Sequence, residues 1–218
     1  MKIEMGESLF YSWLRHIKGC QLVQTNWKAS PRWTLHNEEQ LTMIQGELSQ
    51  FFSSQKLNVF GNKNENKLSQ FLRQAECDAL GIATGQEESN IYAVDVAFHS
   101  GGLLYRNQQD TVAKVLEKCI RNAMCIYGYY NTSKAEVIFA SPKISEKLKK
   151  KLDAAVEMLQ EQTNQMGLNF HFQIIGNSDF KEIVLDPVLK LGDDVADTTE
   201  LFLRSNQLVA LFSKNNKK

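Results

Sequence analysis

The chain has 218 residues, of which 43% are hydrophobic and 23% charged. This balance excludes a disordered, collagen-like or disulfide-scaffold chain, and the length suffices for a full core. Lys plus Arg number 25 and Asp plus Glu number 25, so the net charge is zero and any nucleic-acid role needs charge segregated onto one face.

No apolar run approaches the ~18–20 residues that cross a bilayer, so no membrane partner is expected. The N-terminus, MKIEMGESLF, carries acids early and lacks an apolar signal core, which predicts a cytoplasmic protein without a signal peptide. Cys20, Cys77, Cys119 and Cys125 form no CxxC pair. They are read as reduced, buried thiols rather than zinc ligands.

The first predicted helix runs from Glu7 to Ile17, with Leu9, Phe10, Trp13, Leu14 and Ile17 at helical spacing and Gly19 as its stop. Cys20 to Lys28 is β-branched and aromatic and predicts a strand. A second helix begins near Asn37, with Leu41, Ile44, Leu48 and Phe51 as its buried stripe. Gln55 to Asn66 reads mostly as loop, and Leu68 to Ala75 as a short helix. Asp78 to Thr84 and Ile91 to His99 read as two strands joined by the turn Gly85 to Asn90, an antiparallel hairpin. A strong helix follows from Asp110 to Tyr127, then a strand at Glu136 to Ala140 stopped by Pro142. A long charged helix spans Ile144 to Met166, and a last strand spans Leu168 to Ile175. Phe180 to Leu185 and Thr198 to Leu203 read as helical. The order predicts one mixed α/β layer domain over residues 1–205, with a helical insertion at about 37–75, a C-terminal α/β extension at about 144–205 and a tail at 206–218. The Lys-rich end of that tail, Lys214 to Lys218, is expected to fray.

Asp95 is the residue that demands an explanation. Its neighbours are Ala93, Val94, Val96, Ala97 and Phe98, and a carboxylate in such a strand is costly unless compensated. A divalent cation is one compensation. An edge position facing water, or a lysine partner, is the other. Strand alternation puts Ala93, Asp95, Ala97 and His99 on one face, and Val94, Val96 and Phe98 on the core face. Asp78, at the mouth of the adjacent strand, lies within reach of the same cation. Two or three carboxylates at one point suit Mg²⁺ or Mn²⁺, which lowers the pKa of bound water and stabilises charge on a phosphate oxygen.

An acid at a strand start, then a strand of the form hhDhA, then a helix and a strand, resembles the PD-(D/E)XK nuclease superfamily. The segments GESLFYSWLRHIKGCQLVQTNWK and IYAVDVAFHSGGLLY also resemble those of an uncharacterised bacterial protein family. The superfamily resemblance implies an αβββαβ, restriction-endonuclease-like core over roughly residues 1–140. It implies Mg²⁺ or Mn²⁺ held by Glu7, Asp78 and Asp95, and hydrolysis of DNA. Cys77 stands where proline is common, and Ala97 stands where the superfamily carries its catalytic lysine. Two replacements are open. His99 lies further along the Asp95 strand and is a proton acceptor in kind. Lys114, Lys118 and Arg121 form a basic helix stripe, from which Lys114 is favoured as the catalytic lysine and Lys118 and Arg121 are candidates for nucleic-acid contact.

Each feature has a plainer reading. The basic stripe, and Lys147 to Lys151, are ordinary solvated helix faces. His99 is a strand-end histidine bonded to backbone, and Glu7 is a first-turn acid suited to the helix dipole. Trp27 and Trp33 are candidates for base stacking, with burial the commoner fate. The competing functional expectation is a non-catalytic, nuclease-like module that binds nucleic acid or protein. DNA is the expected partner. A homodimer or a protein partner is left open.

Overall fold

The computed structural model describes residues 5–60, 67–85, 89–191, 195 and 198–213. The expected fraying at Lys214 to Lys218, the middle of the Gly85 to Asn90 turn and the second half of the Gln55 to Asn66 loop lie outside these residues.

Five strands form one mixed sheet in the order β1 (Leu22–Trp27), β2 (Cys77–Thr84), β3 (Ser89–Val96), β4 (Lys134–Ser141), β5 (Asn169–Gly176). The β1–β2 and β2–β3 pairs are antiparallel, and β3, β4 and β5 run parallel to one another. Parallel neighbours need a crossover, and helices α4 (Gln108–Tyr129) and α5 (Glu146–Gln165) supply the two crossovers. Helices α2 (Glu38–Ser54) and α3 (Leu68–Arg73) lie between β1 and β2 in the chain. The expected α/β class and a mixed sheet are therefore present.

Alternation along the strands sorts the core into two layers. Ala93, Val137, Phe139, Phe170 and Phe172 face α2 to α5. Val94, Ile138, Ala140 and Ile175 face α1 (Met5–Ser12) and the helical run from Asn177 to Lys190. The sheet is thus covered on both faces, as a parallel sheet requires. All four cysteines are buried and free, as read from their spacing.

The α4 stripe of Val112, Val115, Leu116, Cys119 and Ile120 is buried as its period predicts. Its N-cap is Asn107, whose side chain accepts from the Asp110 N–H at 2.9 Å. Gly167, at φ +76°, ends the turn after α5 in the left-handed region that favours glycine.

Several boundaries differ from the sequence reading. The first helix is α-helical only to Ser12 and continues as a π-helical turn over Trp13–Ile17. Strand β3 ends at Val96, where the reading carried it to His99. Phe98, placed on the core face by alternation, lies beyond the strand and is 57% exposed. Once the chain leaves the ladder, the two-residue period no longer governs side-chain direction. The C-terminal helix runs Leu201–Ser213, so residues 206–213, read as tail, are helical. Trp13 and Trp27 are buried, whereas Trp33 is exposed.

Candidate active site

The site forms where β2 begins and β3 ends. The β2–β3 ladder pairs Ala79 with Val94 and Leu80 with Ala93. Continuing that register by one residue sets Asp78 against Asp95. Here a side chain replaces a backbone rung: Asp78 Oδ2 accepts the Val96 N–H at 2.7 Å.

Asp95 sits on a strand flanked by β2 and β4, so it is not at a sheet edge. It is 2% exposed. Its charge is met from α4. Lys118 Nζ donates to Oδ1 at 2.7 Å, and Asn122 Nδ2 donates to Oδ2 at 2.6 Å. Lys118 and Asn122 are one helical turn apart, so one side of α4 delivers both donors. Of the compensations the sequence left open, the structure shows a lysine partner.

Electrostatics ties the acids together. Burial and the facing Asp95 carboxylate push Asp78 up to about 6, against the opposing pull of the Val96 N–H and Lys118, and Glu7 adds to the rise. Burial disfavours the Lys118 charge, but Asp95 and Asp78 outweigh it and hold the ammonium protonated, with its pKa raised. Tyr105 is also raised, by burial first, and it feels Lys118, Asp95 and Asp78 in turn. The loop after β3 therefore brings Tyr105 within electrostatic reach of this charge cluster.

Glu7 comes from the first turn of α1 and is buried. Its Oε2 accepts from Asn26 Nδ2 at 2.7 Å. Asn26 has φ +51° and falls between two β1–β2 rungs, Thr25 with Ala79 and Trp27 with Cys77. That left-handed residue breaks the ladder opposite Asp78 and turns its amide toward α1. The approach of α1 depends on Gly6, where a Cβ would meet Val96 Cγ2 at 3.0 Å.

Lys114 is placed elsewhere. It is an exposed residue whose ammonium bonds Glu117 at 2.8 Å. Arg121 also bonds Glu117, donates to the Gln74 carbonyl at 3.3 Å and stacks its guanidinium over Phe71, 4.8 Å from the ring centroid. His99 is exposed, with its ring edge-on to Tyr105 at 6.3 Å. Strand alternation ends at Val96, so His99 does not share the Asp95 face by register. The structure thus brings together Asp78, Asp95 and Lys118, with Glu7 close enough to act on Asp78. Among the described residues, no three His, Cys, Asp or Glu side chains are placed to share a metal ion.

Sequence reasoning missed Asn122, Asn26 and Tyr105. Asn122 had a signal, as a polar residue between Cys119, Ile120, Ala123 and Met124 on a buried stripe. Asn26 and Tyr105 had none, because their roles depend on a ladder break and on a loop path.

Comparison with protein-family models, with curated proteins and with solved structures yields no match for this chain. Among the described residues, no helix is long and apolar enough to cross a membrane.

Proposed function

We propose that this protein is a metal-dependent nuclease that hydrolyses DNA phosphodiester bonds on a restriction-endonuclease-like αβββαβ core. The observation that carries the reading is Lys118 Nζ at 2.7 Å from Asp95, opposite Asp78 at the open end of the β2–β3 ladder. Two acids on adjacent strands and one lysine are the parts such a site needs. The lysine absent at Ala97 is replaced from α4. The order of α1, β1, β2, β3, α4 and β4, with α2 and α3 inserted, also supports the reading.

The acids suit a hard cation in part. Mg²⁺ binds through one or two carboxylates and keeps several waters, which matches the Asp78 and Asp95 pair. Burial first, and the Asp95 carboxylate second, push Asp78 upward, and a cation beside the pair would relieve the repulsion between the two acids. Glu7 is held by Asn26 and stands as a further ligand only if that bond is exchanged. The ion, when bound, supplies Lewis-acid stabilisation of charge on the phosphate oxygens.

The chain's own groups do the rest. Lys118 stays charged, so it acts as a hydrogen-bond donor and not as a base. It orients the attacking water or steadies the phosphate oxygen that gains charge. The proton of that water passes to a neighbouring solvent molecule. Attack at phosphorus then forms one P–O bond and breaks another, and the leaving alkoxide takes a proton from solvent.

One observation favours the second reading, a non-catalytic module. Both Asp95 oxygens are already occupied, by Lys118 and Asn122. The deciding experiment measures cleavage of single- and double-stranded DNA with Mg²⁺ and Mn²⁺, beside metal-dependent thermal stabilisation. The nuclease reading expects both signals and their loss in Asp95→Ala. Cleavage that survives in purified Asp95→Ala protein excludes this site. DNA binding with no metal effect on melting or cleavage establishes the module.

A further inference from the structure

We propose that Lys143, Lys147, Lys150 and Lys151 form the track along which the backbone of duplex DNA lies as it reaches the Asp78–Asp95 site. The proposal rests on the nuclease reading and adds to it the surface that grips the substrate. A chain with 25 basic and 25 acidic residues has no overall field to attract DNA, so grip must come from local segregation of charge.

The sheet topology produces that segregation. β3 and β4 run parallel, with Asp95 beside Phe139 and Val96 beside Ala140. The chain therefore leaves β4 at the end of the sheet where Asp95 lies, and Pro142 and Lys143 come next. The Lys143 carbonyl accepts the Leu103 N–H at 2.8 Å. Leu103 is two residues before Tyr105, whose hydroxyl feels the charges of Asp95, Asp78 and Lys118. Lys143 is thereby bonded to the loop that carries Tyr105, and the exposed Arg106 follows in the same loop.

Helix α5 starts three residues after Lys143. At about 100° per residue, Lys147, Lys150 and Lys151 fall within one exposed arc of its first two turns. Lys149 lies on another flank, where it pairs with Asp153 at 2.7 Å and lines the groove against β5. Glu146 is the one acid in the first turn of α5. Among the described residues, no ion pair engages Lys143, Lys147, Lys150 or Lys151. Four unpaired lysines gathered at the end of the sheet that holds the acids match the charge of a phosphate backbone.

The test is duplex binding by the full chain, followed by fluorescence anisotropy in EDTA between about 50 and 200 mM salt. Each phosphate contact contributes about 0.9 to the slope of log affinity against log salt. The variant Lys143→Gln, Lys147→Gln, Lys151→Gln is expected to flatten that slope by about 3 and to weaken binding equally on unrelated sequences. Lys149→Gln, on the other flank of α5 where Lys149 pairs with Asp153, is expected to keep the wild-type slope. An unchanged slope in the triple variant overturns the proposal. So does wild-type protein that fails to bind duplex DNA at about 50 mM salt, or that binds poly-glutamate in its place. Mn²⁺-dependent melting separates the two readings. If the ion has no effect while the slope changes as expected, the nuclease reading falls and the track stands. If the ion stabilises the triple variant but its slope is unchanged, the site stands and the track falls.

Discussion

Lys118 Nζ lies 2.7 Å from Asp95 Oδ1, and this contact joins the penultimate residue of β3 to the crossover helix that follows it. The carboxylate is almost fully buried and the ammonium about a quarter exposed. Removing one partner of such a pair leaves a buried charge without its counter-ion, which costs more than replacing both. We expect Lys118→Met to destabilise the fold by about 3 kcal/mol, and Asp95→Leu with Lys118→Met to lose less than that single change. Urea denaturation of both singles and the double gives the coupling. Additive losses would show that the pair does not act as a unit.

Lys114 provides the contrast. Its side chain is 46% exposed and pairs with Glu117 on the same helix. Exposed pairs contribute little, so Lys114→Gln should change stability by no more than about 0.5 kcal/mol. On the nuclease reading it should also leave metal-dependent cleavage near the wild-type rate, whereas Lys118→Gln abolishes it. Loss of cleavage in the Lys114 variant would return the catalytic role to that residue.

Asp78 makes stability depend on pH in a stated direction. Burial and Asp95 raise it from 3.8 to about 6, so the folded state binds its proton more tightly than the unfolded chain does. The resulting stabilisation is complete below pH 3.8 and is lost as pH rises through about 6. The size is on the order of 3 kcal/mol. Asp78→Asn keeps an oxygen for the Val96 N–H and removes the titration. The stability difference between variant and wild type should therefore grow in the variant's favour from pH 4 to 7. Parallel curves across that window would place the titration of Asp78 elsewhere.

Asn26 combines a left-handed backbone at φ +51° with a hydrogen bond to Glu7. Alanine loses both, while glycine loses only the bond. Asn26→Gly should be more stable than Asn26→Ala by about 1 kcal/mol, reflecting the strain of a Cβ in that region. Thermal melts of the two proteins decide it. Equal melting would mean that the backbone shifts out of the left-handed region in the alanine variant.

Much of the element order was legible in the amino-acid pattern. The stripe of Val112, Val115, Leu116 and Cys119 carries a helical period that only burial of one face explains. The hairpin of β2 and β3 follows from two apolar runs around a polar turn. Residue identity alone also marked Asp78 and Asp95, because acids beside or within apolar strands must be compensated. What compensates them was a matter of tertiary structure. Lys114 and Lys118 share a stripe in sequence, and place in the first turns of the helix favours Lys114, the wrong one of the two for contact with Asp95. The angle at which α4 crosses the sheet directs Lys118 and Asn122 to Asp95 and leaves Lys114 with Glu117. The end of β3 at Val96, and with it the place of His99 and Phe98, was likewise set by where the ladder stops. Pattern reports which side of an element prefers to be buried. Only the packing of one element on another brings residues 78, 95 and 118 together, since their contact depends on distances in space that chain order does not encode.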